Sequence, residues 1–528
     1  MTFYRLLLFS DRSPRSTWNL ANRIERQVPG TKICGIVLKP IPADSGRFRA
    51  TLQRVFDLFI GIVHAFPTRR DIAAEFDSND LIRECHRREL PLLVAEDFNN
   101  SEVSNFVQDH PADLGVVIGT SCLHPGVLAS PLHGLLRVRI TTSASDGEKV
   151  SVGASASRQV PSETSITVQS EQGSKAPLSL VSVRLPVQPY DTPLGIALKT
   201  ELVSNDIIVQ MISSYSTGNM GRASEEANAW VHEMLPKCPP ATDPDVGRSN
   251  APPQALRSRQ WWKLCCHTVL LCSPYVIVRN WRRRRRGQFP LIILFHHLVS
   301  DRPHRMGMST EVFFHQVRFL QRYYRVVSLS EALESLRSGS LNAPTVVLTF
   351  DDGYEENFLT MRAVTENTGI PAVMFVCSKA VTAREEFQHD HEDGQTGFRS
   401  LGWNQIRYWQ RDSIEFGSHT RSHFNCGSSD VLALRDEIVG SRDEMERHLR
   451  RPVRLFAFPW GMARNMSSTA IEIATSSYDH CVSALEGESY PTKRGQRKIA
   501  GRKFLPANRW DLELTLQSIF ELAHDLKR

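Results

Sequence analysis

The chain has no two cysteines spaced as Cys-x-x-Cys; its ten cysteines are scattered, and Cys265 and Cys266 are adjacent. A zinc ribbon and a disulfide framework are excluded, and reduced, buried thiols are expected. Net charge is nearly lacking as well: 63 Lys and Arg face 57 Asp and Glu, and much of the resulting +6 can come from one run, Arg282 to Arg286. Nucleic acid is therefore not the expected partner. Long apolar runs are lacking near the start. Leu6-Leu7-Leu8-Phe9 is cut short by Asp11 and Arg12, so it reads as a first strand, no secretory signal is seen, and a cytoplasmic location is expected. Histidine is absent between His133 and His232. What remains is ordinary for a soluble globular protein, 41% apolar and 23% charged, and 528 residues are too many for one domain.

Residues 1–237 alternate strand and helix signals. Leu6 to Phe9, Ile33 to Leu38, Leu92 to Ala95 and Leu114 to Ile118 read as strands. Ser16 to Val28, Leu52 to His64 and Ser101 to Asp109 read as helices. This is the rhythm of a parallel sheet covered by helices. Gly119-Thr120 ends a strand, where such sheets hold ligands. Ser143 to Lys175 is rich in Ser, Gly and Thr and reads as loop. The stretches Asp113 to Thr120, Leu128 to Leu136 and Asp191 to Lys199 resemble formyltransferase domains that use formyl-tetrahydrofolate. The resemblance implies an Asn-x-His-Pro segment after the glycine strand, but Arg137 to Thr142 stands there. A degenerate, Rossmann-like formyltransferase-type domain is expected, serving as a binding or scaffolding module, with His133 a surface loop residue.

Residues 238–287 form a linker. Pro239-Pro240, Pro244 and Pro252-Pro253 mark an extended connector. Trp261-Trp262 then opens an apolar run to Val278, followed by Trp281 and the arginines. Aromatics at both ends and a basic block suit contact of 261–286 with a membrane surface. A spanning helix and a packed inter-domain helix stay open beside that reading.

The chemistry concentrates in 288–528. Strands at Leu291 to Phe295, Thr345 to Phe350, Ala372 to Val376, Ile414 to Phe416 and Leu455 to Phe458 are separated by helical signals. These include Glu311 to Tyr324, Glu356 to Thr368, Leu401 to Arg411, Asp430 to Leu449 and Ser467 to Ser477. Special residues follow the strand ends: His296-His297, Asp351-Asp352, Gly417-Ser418-His419 and Pro459-Trp460-Gly461. A parallel β-α barrel would gather those ends on one rim. Asp351 and Asp352 can share one site only where Gly353 lets the backbone turn. His419 and His423 are spaced i, i+4, which on a helical turn places both rings on one side. Two imidazoles and a carboxylate make three ligands for a divalent metal, with a position left for water.

Thr349-Phe350-Asp351-Asp352-Gly353, Ser418 to His423, and Phe456-Ala457-Phe458-Pro459-Trp460-Gly461 together resemble the successive motifs of the polysaccharide deacetylase (NodB-like carbohydrate esterase) family. The resemblance covers about Phe289 to Leu516. It implies a distorted (β/α) barrel and metal-dependent removal of acetyl groups, N-acetyl foremost, from a saccharide or glycan. Asp351 would be the general base, and Asp352, His419 and His423 the metal ligands. Tyr354, Phe458, Pro459 and Trp460 would be candidates for substrate contact. The metal would be Zn2+, with Co2+, Ni2+ or Fe2+ as alternatives. The sequence departs from the family twice. Arg454 is displaced from the place of an expected arginine, and the terminal Leu-x-His motif with its acid histidine is missing, since His480 and His524 do not fit it. His296 or His297 is the candidate replacement acid. Deformylation or other deacylation of a lipid-linked sugar, and a non-catalytic glycan-binding or assembly role, are the alternative functions.

Overall fold

The computed structural model describes residues 3–39, 78–119, 123–143, 149–151, 163–172, 176–185, 187–188, 190–235, 273–412, 414–485, 499–507 and 509–517. The helix expected at Leu52 to His64, the apolar run before Ser273, Thr120 and His524 lie outside these residues. The rest falls into two compact units, one built from 3–39 and 78–235 with 366–369, the other from 273–365 and 370–517.

The first unit is one mixed sheet with helices. Its strands are β1 (Tyr4–Ser10), β2 (Thr31–Leu38), β3 (Leu92–Val94), β4 (Leu114–Ile118), β5 (Leu135–Ser143), β6 (Lys149–Ser151), β7 (Glu163–Glu171) and β8 (Leu178–Leu185). They lie in the order β3-β2-β1-β4-β5-β7-β8, with β6 beside β5. The pairs from β3 to β5 are parallel, and β7 and β8 run antiparallel. Parallel strands covered on both faces need continuous apolar runs, and β4 is buried at all five positions. The stretch Ser143 to Lys175, expected as loop, contains β7. Every second residue of its first half, Thr164, Ile166 and Val168, is buried, a period-2 pattern hidden by intervening Ser and Thr. At the ends of β1 and β4, Asp11 fills the space beside Gly119: a Cβ there would lie 1.7 Å from the Asp11 carboxylate. Arg137, which stands where the formyltransferase resemblance implies Asn-x-His-Pro, is in β5, buried and bonded to Glu171 at 2.7 Å.

The second unit is a nearly closed parallel barrel. It contains β9 (Leu291–His296), β12 (Arg325–Val326), β13 (Thr345–Phe350), β14 (Ala372–Val376), β15 (Ile414–Ser418), β16 (Leu455–Ala457), β17 (His480–Ser483), β18 (Ile499–Gly501) and β19 (Lys503–Phe504). A short separate ladder pairs β10 (Leu298–Val299) with β11 (Gly307–Met308). The barrel order is β18-β17-β16-β15-β14-β13-β9-β19, with β12 on β13. Only Arg502 separates β18 from β19. The first pairs with β17 and the second with β9, so one extended stretch crosses from one edge of the sheet to the other and completes the ring. Alternate residues of the strands, among them Leu291, Ile293, Val347, Val373, Phe375, Leu455, Ala457 and Val482, form a single cluster with the helix Leu329–Ser338. Parallel strands of one ring bring all their C-terminal ends to one rim.

Candidate metal and catalytic centre

The rim begins where β13 ends. Asp351 continues the ladder, its N–H donating to the His296 carbonyl at 2.9 Å. Asp352 then adopts φ of 69° and Gly353 φ of 87°. This turn separates the two carboxylates, which strand alternation alone would send to opposite faces. Glycine is required at 353 on two counts: its φ, and a Cβ that would meet Val376 at 2.7 Å.

The second piece follows β15. His419 and His423 do not lie on a helical turn, contrary to the sequence expectation; residues 419–423 form an irregular loop. Thr420 and His423 take φ of 64° and 58°, a left-handed backbone uncommon outside glycine and enriched at functional sites. Side chains hold the loop in that shape. The Phe424 N–H donates to the Thr420 hydroxyl at 2.9 Å. The Glu437 carboxylate accepts from the backbone N–H groups of Arg421 and Ser422, both at 2.9 Å, and from the Ser422 hydroxyl at 2.7 Å. Glu437 lies in a π-helical turn, Asp436–Gly440, inside the region expected as one plain helix. Such turns often mark functional positions.

These pieces converge. Ligand atoms of Asp352, His419 and His423 all lie within 4.8 Å of one another. The two Nε2 atoms are 3.7 and 3.5 Å from Asp352 Oδ1. That is too far for a hydrogen bond, and it is close to the ~3.4 Å that separates two ligands sharing a tetrahedral zinc. Both Asp352 oxygens are buried without a hydrogen-bond partner. Burial, then the charges of Asp351 and Asp390, push its pKa well above the usual carboxylate range. A carboxylate so placed is neutral unless a cation joins it. His419 Nδ1 donates to the Ala457 carbonyl at 2.8 Å, which leaves Nε2 with the lone pair facing Asp352. The donor set therefore fits a divalent metal.

Asp351 is treated oppositely. The Arg502 guanidinium grips both of its oxygens, at 2.7 and 2.8 Å, and reaches the Thr349 hydroxyl at 3.1 Å. Burial pushes the Asp351 pKa up, but Arg502 and then His419 outweigh it and leave it at about 2. Two adjacent acids thus differ in state: Asp351 is ionised by an arginine, and Asp352 is poised for a cation. Arg454, the arginine nearest the family position in sequence, instead lies outside the ring, 3.6 Å from Asp479 and exposed.

The remaining candidates sort by access. His296 is buried between Phe350 and Phe504, with neither ring nitrogen bonded, and burial, then His297, lower its pKa to about 3. Burial also lowers His297, to about 4, against the opposing pull of Asp351. Tyr354 and Phe458 are wholly buried, and Pro459 is buried too. Trp460 is 50% exposed, with its ring 4.4 Å from that of His423. His480 bonds to Arg337 at 3.1 Å.

Three residues at the site were not read from the sequence as parts of it: Arg502, Glu437 and His389. His389 Nε2 is 2.9 Å from the Tyr354 hydroxyl, which donates to Asp390 at 2.8 Å. Its ring lies 5.2 Å from that of His423. The only sequence signal for it is the His-Asp pair in Gln388–Glu392, a short helix that was not anticipated.

Residues 338–478 match the family described as polysaccharide deacetylase. No curated protein sequence matches the chain. Among solved structures, IcaB from Ammonifex degensii is 22% identical, covering 43% of this chain and 97% of its own, with a TM-score of 0.36. The Streptococcus pyogenes deacetylase PplD in complex with acetate is 18% identical over 44% of this chain and 98% of its own, with a TM-score of 0.36. The phosphoribosylglycinamide formyltransferase from Coxiella burnetii is 9% identical over 41% of this chain and 88% of its own, with a TM-score of 0.25.

Proposed function

We infer that this chain, whose residues 338–478 carry a polysaccharide deacetylase domain, hydrolyses acetyl groups, N-acetyl foremost, from a saccharide or glycan with a divalent cation at Asp352, His419 and His423. The observation that carries the reading is the contrast between the adjacent acids: Asp352 buried without a hydrogen-bond partner beside two imidazoles, Asp351 held by Arg502. Zinc suits two nitrogens and one oxygen; cobalt, nickel and ferrous iron suit them too. Such a cation supplies Lewis acidity to an acetyl carbonyl and acidity to water near neutral pH.

The protein's own groups do the rest. Asp351, kept ionised by Arg502, accepts the proton of the attacking water on a carboxylate oxygen. The C–N bond breaks, acetate departs, and that proton or its equivalent ends on the sugar amine. Of the two histidines at the end of β9, His296 is buried between aromatic rings, whereas His297 is only partly buried. The reading therefore assigns His297 to the substrate side. Trp460, exposed beside His423, offers a face to a sugar ring. An iron oxygenase built on the same triad would leave the Asp351–Arg502 pair without a role.

The test is acetate release from chitooligosaccharides and peptidoglycan fragments by the full-length protein. We expect release that is abolished by chelator, restored by zinc and absent in Asp351→Asn. Absence of release from every glycan, with wild type and Asp351→Asn alike, favours a binding role instead.

A further inference from the structure

A second feature of the barrel unit lies away from the rim. The helix Pro274–Arg285 ends in four arginines, with Arg286 following. Its inner side is settled: Val276 and Asn280 are buried, and Asn280 Nδ2 donates to Gln517 Oε1 at 2.8 Å. Asn280 and Arg283 line a small cavity with Phe289, Pro290, Pro344 and Gln517. Pro290 and Pro344 immediately precede β9 and β13, so the helix is seated at the N-terminal end of the strands. The rim residues stand at the other end, about 20 Å away for a strand of six residues.

The outer side has a different composition. Tyr275, Val278 and Trp281 are 57%, 42% and 44% exposed. At helical spacing they share one arc with Arg282 and Arg285, and the Arg285 guanidinium lies 4.1 Å over the Trp281 ring. Arg282, Arg285 and Arg286 are exposed. Cations at a helix C-terminus complement its dipole, but that requires neither a tryptophan nor a valine turned to solvent. The helix is too short and too charged to cross a bilayer, and among the described residues no helix is long and apolar enough to do so. An apolar strip interleaved with arginines has the chemistry of a bilayer interface, where indole and phenol rings sit at headgroup depth and guanidinium groups meet anionic lipids. A nucleic-acid backbone would satisfy the arginines and leave Val278 in water.

We propose that the outer face of Pro274–Arg285, with Arg286, docks on an anionic lipid surface and holds the barrel with its rim turned away from the bilayer. The docking stands apart from the proposed reaction; only the direction of the rim draws on it.

The experiment is sedimentation of the full-length protein with phosphatidylcholine vesicles, with and without phosphatidylglycerol, over a range of salt. We expect binding to the anionic vesicles that weakens with salt and little binding to the neutral ones. The triple variant R282E/R285E/R286E should lower partitioning roughly a hundredfold or more. The variant V278S/W281S should weaken binding to the anionic vesicles while leaving DNA retention unchanged. Both variants should keep the wild-type melting temperature and acetate release. Equal binding to neutral vesicles, or anionic binding that neither variant changes, overturns the proposal, because another segment then carries the attachment. So does an arginine-dependent retention of duplex DNA with no sedimentation on any vesicle. For the direction of the rim, vesicle-bound protein should cleave a soluble glycan at the rate of free protein. Loss of that cleavage on docking would overturn the orientation and leave the docking standing.

Discussion

Arg502 and Asp351 are 151 positions apart in the chain, yet they form a two-pronged charge pair at the rim. Both side chains are almost fully enclosed, so each depends on the other. Removing one member of a buried pair costs about 3–5 kcal/mol, mostly through the charge left behind. Arg502→Gln should accordingly lower unfolding free energy by that amount, measured in urea. Arg502→Lys keeps the charge but loses the two-pronged grip; it should fold, and its kcat should fall by roughly one to two orders of magnitude because the carboxylate proposed as the base is no longer held in place. Glu437 acts one step further out. It holds the loop that carries His419 and His423, so Glu437→Gln should weaken zinc affinity about 10- to 100-fold in a competition titration with a chromogenic chelator. Asp352, His419 and His423 were legible as a group through the joint resemblance of their motifs to one family, not through helical spacing, and their ligand atoms do lie within 4.8 Å of one another. Arg502 and Glu437 were not, since an arginine in an apolar stretch and a glutamate in a polar helix acquire meaning only from what the fold brings against them.

At the level of elements, the strands read from the sequence were buried parallel ones with continuous apolar runs, while β5 and β8 were not read. β4, β13 and β14 have the bounds their sequences suggested. The failures have physical causes. β7 buries only alternate residues and fills the others with Ser, Thr and Gln, so its composition resembles a loop. The loop after β15 gathers two histidines through left-handed residues rather than through helical spacing, and no local propensity announces that. The strand feeding it is tightly constrained. A Cβ on Gly417 would lie 2.6 Å from the Phe375 ring and 2.8 Å from Leu455 Cβ. Gly417→Ala should therefore overfill the barrel wall and cost about 1–3 kcal/mol in denaturant unfolding. Because the same strand delivers His419, zinc affinity should fall in parallel.

On the scale of the whole molecule, the alternation of strands and helices predicted a parallel barrel after a sheet domain, and two compact units of that kind are present. The closure of the ring was not legible, because it depends on a six-residue stretch that changes partners midway. The three residues proposed to hold the cation follow β13 and β15 and belong to the barrel unit alone, so a bound cation should stabilise only that unit by mass action. In calorimetry of the full-length protein, adding chelator should lower the transition of the barrel and leave that of the N-terminal sheet in place. A shift of both by the same amount would mean that they unfold as one. The crossing at Arg502 also has a consequence for biosynthesis. The stretch from Ile499 to Phe504 is the last part of the ring to leave the ribosome. Until it does, a nascent barrel carries Asp351 without its counter-charge and with its wall open. The event that seals the ring is also the one that installs the guanidinium, so structural completion and chemical competence arrive in a single step, and a chain released early has neither.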